Sequence, residues 1–251
     1  MRIIISPAKK MKIDCDTLAF CDLPFFLEQT KEIKSWLLAQ SFEQRKELWG
    51  CNEKIAAQNT ERLQQLDLEQ GLTPAILSYE GIQYQYMAPA VFEDRMLQYI
   101  QKNLRILSGF YGVLRPMDGV IPYRLEMQAK ATIGQWNNLY DYWGEQLYHQ
   151  VRDESGIFIN LASKEYSKCI EKYLKEEDFF LTCVFAEEGK GKVVQKGTYA
   201  KMARGEMVRF MAEQKVESVE ELKKFEGLDF KFCKELSGEK EYVFLRKKEK
   251  K

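Results

Sequence analysis

The chain has 251 residues, of which 45% are hydrophobic and 30% charged, a composition typical of soluble globular proteins. Basic and acidic residues number 38 each, so the formal net charge is zero and an anionic partner must be held by a local basic patch. No apolar run approaches the about 20 residues of a membrane span, and the apolar start is too short for a signal peptide, so we expect a cytoplasmic protein without a membrane partner.

The N-terminal quarter is predicted to hold one strand followed by helices. Arg2–Ser6 is β-branched, apolar and stopped by Pro7, which is typical of a short buried strand. Between about Phe25 and Leu66, three groups of apolar residues recur at helical spacing and predict three helices.

The next stretch is predicted to contain two short strands and a longer helix. Ala75–Tyr79 is a strand candidate, and the alternation of Tyr84 and Tyr86 indicates another. Pro89 suits the first turn of a helix, and the apolar spacing that follows it predicts a helix that continues to Leu107.

Leu107–Met127 is the most informative segment because it fits neither a helix nor a strand. Three glycines and two prolines interrupt any regular period, but the segment is too apolar for a disordered chain. An ordered irregular segment of this length is usually functional. We expect it to present Arg115, Asp118, Arg124 and Glu126 from a packed base, as a binding or catalytic surface.

The second half of the chain is predicted to alternate helices and strands. In chain order these are a helix near Tyr142–Val151, a strand Ile157–Leu161, a helix from Lys164 to Leu174 capped by Ser163, strands Phe179–Ala186 and Lys192–Lys196 joined by a turn at Gly189–Gly191, a helix Thr198–Lys215, and a closing hairpin of residues 228–233 and Tyr242–Arg246. The elements are interspersed, with no linker and no internal repeat. We therefore predict one α/β domain over residues 1–251, with a mixed β-sheet surrounded by helices.

Cysteine and histidine usage argues against a metal site. The six cysteines show no Cys-x-x-Cys and no paired spacing, so we expect reduced thiols. The single histidine, His149, excludes a multi-histidine site.

The sequence also lacks the two common glycine-rich motifs that bind nucleotide phosphates. Neither Gly-x-x-x-x-Gly-Lys-Ser/Thr nor Gly-x-Gly-x-x-Gly after a strand occurs. We expect no metal and no cofactor.

The first predicted strand runs into a candidate anion-binding loop. Ser6 and Lys9 match the Ser-x-x-Lys pattern of penicillin-recognising acyl enzymes, but the other elements of that set, Ser-Asp-Asn and Lys-Thr-Gly, are absent. A loop at the strand end, whose Lys9 and Lys10 contact an anion, is the better interpretation.

The helix Thr198–Lys215 carries two cations opposite its apolar face. Lys201 and Arg204 stand three residues apart on that opposite side. They form either a solvated basic face or a ridge that binds phosphates, and the sequence leaves both open.

The start of the irregular segment resembles the hairpin of helix-hairpin-helix DNA-binding units. In such units glycine N–H groups and nearby cations hold the phosphate backbone without reading bases. Here Gly109 and Gly112 are three residues apart instead of the usual two, and Arg115-Pro116 discourages a regular second helix. A structural loop around a buried Tyr111 fits this stretch equally well.

Several stretches taken together resemble the YaaA family of bacterial peroxide-stress proteins. They are Ile5–Lys9, Leu107–Met127, Leu139–Gly144, Asn160–Tyr166 and Tyr199–Gly205, in order and over nearly the whole chain. The resemblance implies a cytosolic, single-domain α/β protein with an unusual fold. It also implies binding of duplex and branched DNA through a basic cleft and a helix-hairpin-helix element, and a part in peroxide protection, restraint of free iron and recombinational repair. No catalytic activity is carried over from the resemblance.

The leading hypothesis is a DNA-binding protein of the peroxide response that recognises duplex or branched DNA without sequence specificity. The residues that we expect to line its DNA-contacting surface are Lys9, Arg105, Ser108, Gly109, Gly112, Arg115, Arg124, Lys201 and Arg204.

The alternative is an enzyme that acts on a nucleotide or a nucleic-acid-derived substrate. Its pocket would be lined by Arg115, Tyr123, Arg124, Glu126, Asn160 and Lys201, a set that can orient a substrate and move protons. Convergence of these side chains in a deep pocket favours the enzyme, whereas cations spread along an open groove favour DNA binding. Direct iron binding is disfavoured, because one histidine and scattered cysteines form no recognisable site.

Overall fold

A computed structural model describes residues 1–189 and 192–246 of the chain as a mixed α/β structure. Its strands are β1 (Arg2–Ile5), β2 (Lys10–Met11), β3 (Thr73–Pro74), β4 (Tyr79–Glu80), β5 (Leu104–Ser108), β6 (Gly112–Leu114), β7 (Gly119–Val120), β8 (Ile157–Leu161), β9 (Phe179–Gly189), β10 (Lys192–Val194), β11 (Phe230–Phe232) and β12 (Glu241–Arg246). Its α-helices are α1 (Leu27–Ala39), α2 (Phe42–Trp49), α3 (Glu53–Gln65), α4 (Ala75–Ser78), α5 (Ile82–Met87), α6 (Asp94–Asn103), α7 (Leu139–Trp143), α8 (Gln146–Val151), α9 (Lys164–Glu171) and α10 (Gly197–Gln214), with 3₁₀ turns at Pro89–Val91, Val219–Lys224, Gly227–Asp229 and Lys234–Leu236.

The main sheet is parallel at its centre and antiparallel at its margins, which confirms the predicted mixed sheet. Its order is β11-β12-β9-β8-β1-β5-β6, with β10 paired to β9. Strands β12, β9, β8, β1 and β5 are mutually parallel, while β6, β10 and β11 run antiparallel to their neighbours. The chain proceeds from β1 to β5 on one side and from β8 through β9 to β12 on the other. The topological switch point therefore lies between β1 and β8.

Strand β1 lies at the centre of this sheet because its sequence suits burial on both faces. Ile3, Ile4 and Ile5 are all fully buried. A continuous β-branched apolar run is what a parallel strand covered by helices on both sides requires. In register, Ile5 stands between Ile106 of β5 and Leu161 of β8, so the three strands end at one edge.

The longer elements confirm the sequence predictions. Three helices fill the stretch from residue 27 to 65, β8 has its predicted bounds, and β11 and β12 form the closing antiparallel hairpin. The helix expected near Tyr142–Val151 is two helices, α7 and α8. They are separated by Gly144, which has a positive φ of 51°. Strands β9 and β10 pair as predicted, although Lys190 and Gly191 of the expected turn lie outside the described residues.

Two predicted strands are wrong. Ala75–Ser78 is the short helix α4, in which the Tyr79 N–H donates back to the Ala75 carbonyl oxygen, and only Tyr79 of the predicted strand lies in a strand, β4. Tyr84 and Tyr86 belong to helix α5, which packs along α10. Both stretches are too short for periodicity to separate a helix from a strand.

The predicted helix-hairpin-helix element is not confirmed. Helix α6 ends at Asn103, and the chain continues as β5, a tight turn and β6, which is a β-hairpin. The apolar residues at Leu104 and Leu107 fit a helical period, but parallel pairing of β5 with β1 places this segment in the sheet. Within the described residues, no helix is long and apolar enough to cross a membrane.

Candidate anion-binding site

A cavity of about 410 Å³ opens at the carboxyl ends of β1 and β8, beside the topological switch point. Open α/β sheets bind their ligands at this position, because the loops after the two strands diverge there and leave a crevice. The lining comes from five parts of the chain: residues 6–10 after β1, residues 80–84 at the start of α5, residues 123–126, residues Ser163, Glu165 and Tyr166 after β8, and Lys201 and Arg204 of α10.

Two serines fasten the loops that follow β1 and β8. The N–H of Ser163 donates to Oγ of Ser6 at 2.8 Å, and the Ser6 hydroxyl donates to Oγ of Ser163 at 3.2 Å. The Tyr84 hydroxyl donates to the Ser6 carbonyl oxygen at 2.9 Å. Ser163 stands at the N-cap of α9 as predicted, but its side chain bonds Ser6 and caps no N–H group of α9.

Lys9 does not activate Ser6. Its ammonium nitrogen lies 2.7 Å from Oε2 of Glu126 and the side chain is largely exposed. The serine hydroxyl instead bonds across to the β8 loop. The Ser-x-x-Lys pattern is therefore a strand-end loop in this protein, as the sequence favoured.

Glu126 holds two of the cavity's cations. Its carboxylate pairs with Lys9 and also with Arg124, whose Nη2 lies 3.2 Å from Oε1. Arg124 is mostly buried, and its Nη2 also donates to the Trp49 carbonyl oxygen at 3.3 Å. The carboxylate therefore fixes the position of Arg124 while it leaves Lys9 at the cavity mouth.

Arg204 is the partly buried cation of the cavity that has no partner among the described residues. Burial lowers its pKa below the ordinary arginine value. Within residues 1–189 and 192–246, its guanidinium has no carboxylate partner and no hydrogen-bond acceptor, and its Nε is fully buried. A partly buried charge without a partner is costly, so an anion in the cavity is the natural counter-charge.

The close packing of α10 on α5 delivers Arg204 to the cavity. A Cβ atom on Gly205 would collide with the backbone of Gln83 and Met87, so glycine permits the two helices to touch. Gln83 is itself more than nine-tenths buried, lines the cavity, and has an Nε2 without an acceptor among the described residues. The wall thus offers a second unsatisfied donor beside the cations.

Three tyrosines, Tyr84, Tyr123 and Tyr166, belong to the cavity lining. The Tyr123 hydroxyl is hydrogen-bonded to that of Tyr79 at 2.9 Å and to Oγ of Ser108 at 2.6 Å. Burial raises the pKa of Tyr123 to about 12, so the hydroxyl stays protonated at neutral pH. It offers a neutral polar group next to the cations.

A second carboxylate, Glu165, faces the same cavity. Burial raises its pKa, and the nearby Glu126 raises it further. Its Oε1 accepts from the N–H of Gln128 at 3.3 Å. Glu165 was not among the predicted site residues, although it lies within the matching stretch Asn160–Tyr166. Its proximity to Glu126 depends on the fold and leaves no local sequence signal.

A groove of about 640 Å³ continues from the cavity past the Lys9–Glu126 ion pair, which lines both. The half-buried Trp36 and the buried Trp49 supply its aromatic surface, and Lys130 supplies a further cation. This groove was not predicted, because Trp36 lies in a helix whose apolar spacing is that of an ordinary amphipathic helix.

The structure brings together only part of the predicted DNA-contacting set. Lys9, Arg124, Lys201 and Arg204 line the cavity. Ser108, Gly109 and Gly112 are buried instead: Oγ of Ser108 accepts from the N–H groups of Phe110 and Tyr111, and so locks the β5–β6 turn.

The two glycines have packing roles. A Cβ on Gly109 would lie 2.8 Å from the Leu125 carbonyl oxygen, so the β5–β6 turn fits closely under the cavity-lining segment. Gly112 has φ of +72° and is enclosed by Phe26, Trp143 and Leu147. Neither backbone faces solvent, since both residues lie among the buried side chains of the core.

Three further predicted residues lie away from the cavity. The Arg105 guanidinium is buried and donates to the carbonyl oxygens of Leu104 and Gln101. Arg115 pairs with Asp118 at 2.9 Å and with Asp22 at 3.1 Å. Asn160 is buried, and its side chain accepts from the N–H of Ala162 and donates to Oγ1 of Thr182.

The chain matches a described protein family and many relatives. The model of the family described as peroxide stress protein YaaA matches residues 1–236. A UPF0246 protein of Agathobacter rectalis is 58% identical over 247 residues, which cover 98% of this chain and 99% of the relative. UPF0246 proteins of Lachnoclostridium phytofermentans and Limosilactobacillus reuteri are 54% and 50% identical and cover 98% and 97% of this chain, and 96% and 98% of their own lengths.

Proposed function

We infer the function of this chain from its family and from its cavity: it belongs to the YaaA family of peroxide stress proteins, and we propose that it serves that response by binding DNA. The proposed ligand is duplex or branched DNA in the cytoplasm, contacted through its phosphates. Because phosphate contacts carry no sequence information, recognition would be independent of base sequence.

The observation that carries this proposal is the unpartnered Arg204. Five cations line the cavity, Lys9, Lys10, Arg124, Lys201 and Arg204, against three carboxylates. Lys9, Lys10 and Arg124 are each paired with a glutamate, whereas the exposed Lys201 and the partly buried Arg204 have no counter-charge among the described residues. A phosphate oxygen is the acceptor that a guanidinium fork binds best.

The groove supports an extended ligand. It shares Lys9 and Glu126 with the cavity and adds Lys130 and two tryptophans. A chain of phosphates can therefore follow cations from α10 across the mouth of the cavity to the groove. This restricts the predicted DNA surface to Lys9, Arg124, Lys201 and Arg204, without the buried turn of β5 and β6.

The proposal is tested by the salt dependence of DNA binding. We expect the logarithm of the affinity for a duplex to fall linearly with the logarithm of salt concentration, with a slope of about −0.9 per phosphate contacted. The double variant Lys201→Gln, Arg204→Gln should bind every sequence more weakly and should lose about 2 from that slope. Fluorescence anisotropy at several salt concentrations measures both quantities.

The matched control is the double variant Arg95→Gln, Arg209→Gln. Arg95 and Arg209 are surface cations paired with Glu93 and Glu213 and lie outside the cavity lining. The control should retain the wild-type affinity and slope. Equal behaviour of the two double variants, both folded by circular dichroism, removes α10 from the DNA surface.

A second candidate function, an enzyme acting on a nucleotide, is favoured by convergence. Tyr123, Arg124, Glu126 and Lys201 do line one cavity, although Arg115 and Asn160 do not. Two neighbouring carboxylates, Glu126 and Glu165, and a protonated tyrosine could move protons on a bound substrate.

The substitution Glu126→Gln separates the two functions. If the cavity only binds phosphates, loss of this carboxylate frees Lys9 and Arg124, and DNA affinity should rise several-fold. If the cavity is catalytic, chromatography of nucleotides incubated with the wild type reveals a product that the variant fails to make. Absence of a product with every nucleotide tested speaks against the enzyme.

A further inference from the structure

We propose that the cavity takes a single unpaired nucleotide with its phosphate, and that the neighbouring groove takes the next nucleotide of the strand by stacking on Trp36. This inference rests on the proposed function, binding of nucleic-acid phosphates, and adds which part of a nucleic acid enters. The shared chemistry is one nucleotide free of base pairing, whether monomeric or part of a strand.

The first observation that supports the proposal is that the cavity lining contains buried hydrogen-bond donors without acceptors. Nε of Arg124, Nε of Arg204 and Nε2 of Gln83 are all buried and have no acceptor among the described residues, and all three side chains line the cavity. A wall that leaves buried donors unpaired costs free energy until an acceptor-rich group lies against it. The ligand must therefore enter the cavity and bring oxyanions or carbonyl oxygens with it.

A paired duplex cannot do this. Its phosphates lie on the outside of a stiff helix, and its bases reach a protein pocket only when a nucleotide leaves the stack. An intact duplex would contact the exposed rim, where Lys9 and Lys10 are 65% and 78% exposed. Its phosphates can also meet the partly exposed side of Arg204, but the buried Nε atoms of Arg124 and Arg204 and the buried Nε2 of Gln83 would remain without an acceptor.

The size and the lining of the cavity fit one nucleotide. A volume of 410 Å³ lies at the lower end of the about 300–1,000 Å³ found for pockets that enclose small organic ligands. Tyr84, Tyr123 and Tyr166 offer flat apolar surface for a sugar or a base. Glu126 and Glu165 offer acceptors that could face the exocyclic amino groups of a base.

The groove supplies the second position. Trp36 is half-buried in its lining, and an aromatic side chain beside cations is the usual platform for a base of a single strand. The Lys9–Glu126 ion pair lines both the groove that holds this platform and the cavity. One phosphate over Lys9 would then link the nucleotide in the cavity to the one on Trp36.

The test compares four probes by fluorescence anisotropy at one salt concentration. They are a labelled single-stranded oligonucleotide with a 5′-phosphate, its blunt duplex, the same duplex with one unpaired nucleotide, and unlabelled deoxycytidine monophosphate as competitor. We expect the single strand and the duplex with the unpaired nucleotide to bind at least about tenfold more tightly than the blunt duplex, in the range of one stacked base.

Variants assign the difference to the cavity and the groove. Arg204→Gln should abolish the preference for unpaired nucleotides, and Arg209→Gln on the same helix should retain it. Trp36→Ala should weaken binding of the strand but leave displacement by the mononucleotide unchanged, whereas Trp136→Ala, outside both linings, should change neither. Displacement by the mononucleotide shows that free nucleotides enter; displacement by strands alone assigns the site to strand ends and unpaired nucleotides.

Two outcomes contradict the proposal in different ways. If all DNA probes bind equally and Arg204→Gln weakens them equally, the single-nucleotide site is wrong while DNA binding stands. If no probe binds at low salt, the proposed function itself falls, and with it the inference. Thermal unfolding of each variant, followed by circular dichroism, confirms that the comparison is made on folded protein.

Discussion

At the residue scale, Gly205 determines the position of Arg204, because it allows helix α10 to pack closely against α5. The helix α10 runs so close to α5 that a Cβ at position 205 would meet the Gln83 carbonyl oxygen and lie 2.9 Å from the Met87 nitrogen. These are backbone atoms, so no side-chain rotation relieves the collision. One missing methyl group thus decides how near Arg204 lies to the loop that begins α5.

Gly205→Ala should destabilise the protein by at least about 3 kcal/mol, because overpacking against backbone forces the two helices apart. The matched control is Gly197→Ala at the start of the same helix, where nothing lies within 4 Å of an added Cβ. That change should remain within about 1 kcal/mol and on the stabilising side. Urea unfolding of the three proteins measures the effect, and equal midpoints would contradict the close helix contact.

Asp178 gives a pH-dependent contribution to stability. Its side chain is fully buried; Oδ2 accepts from the Tyr148 hydroxyl at 2.5 Å, and Oδ1 accepts from Nε of Arg152 at 2.8 Å. Burial by itself raises the pKa of this carboxyl, but the hydrogen bonds from Tyr148, Lys175 and Arg152 outweigh it and hold the pKa below the ordinary value of 3.8.

Because the folded pKa lies below the unfolded one, the contribution of Asp178 is fully present above about pH 4–5 and is lost as the pH falls through the folded value. Asp178→Asn should therefore lose about 1–3 kcal/mol at neutral pH and show less acid sensitivity than the wild type. Glu177→Gln, an exposed neighbour of Arg152, is the control and should behave as the wild type. Urea unfolding between pH 3 and pH 7 compares the slopes.

Some cavity-lining residues were predictable from the sequence, because their positions follow from the strand or helix that carries them. Lys9 follows a strand, and Lys201 and Arg204 share a helix face, so their grouping with Arg124 needed only the fold to complete it. Gly109 and Gly112 were placed on a surface because a local motif says nothing of packing depth. Gln83 and Glu165 carry no local signal, since their importance arises from contacts with distant segments.

At the element scale, long or strongly patterned segments were predictable and short ones were not. The three N-terminal helices and strands β1 and β8 follow their hydrophobic period. Leu104–Ser108 fits a helical period as an extension of α6, yet it forms β5 because its backbone pairs with β1. Tertiary pairing outweighs local preference wherever a segment of about five residues could satisfy either pattern.

The β5–β6 turn is expected to support the cavity without touching its ligand. Ser108→Ala leaves the buried N–H groups of Phe110 and Tyr111 without their acceptor and removes a partner of the Tyr123 hydroxyl. The change should cost about 1–3 kcal/mol of stability, while the DNA affinity of the folded variant stays that of the wild type.

Ser35→Ala, which removes an exposed hydroxyl bonded within α1, is the control and should alter neither property. Differential scanning calorimetry measures the stability and anisotropy the affinity. A loss of affinity in the folded Ser108→Ala variant, beyond that of the control, would return Ser108 to the DNA surface.

At the scale of the whole molecule, the sheet explains how a chain of zero net charge offers a cationic site. The loops after β1 and β8 and the start of α9 lie at one edge of the sheet. Helix α10, which follows β10 in the chain, lines the cavity at the same edge. Segments separated by about two hundred positions thus contribute cations to one cavity. Attraction of an anion is therefore short-ranged and depends on this assembly rather than on an overall field.

The same topology predicts that residues 1–246 unfold as one cooperative unit. Strand β1 pairs with β5 and β8, more than a hundred residues away, so neither half of the sheet is complete without it. Ile4→Ala, at a fully buried position in that strand, should cost about 2–5 kcal/mol. All four tryptophans precede β8, whereas α10 and β12 follow it. Tryptophan fluorescence and far-ultraviolet circular dichroism should therefore show one shared urea midpoint, shifted equally in the variant, and two separate transitions would divide the chain into independent domains.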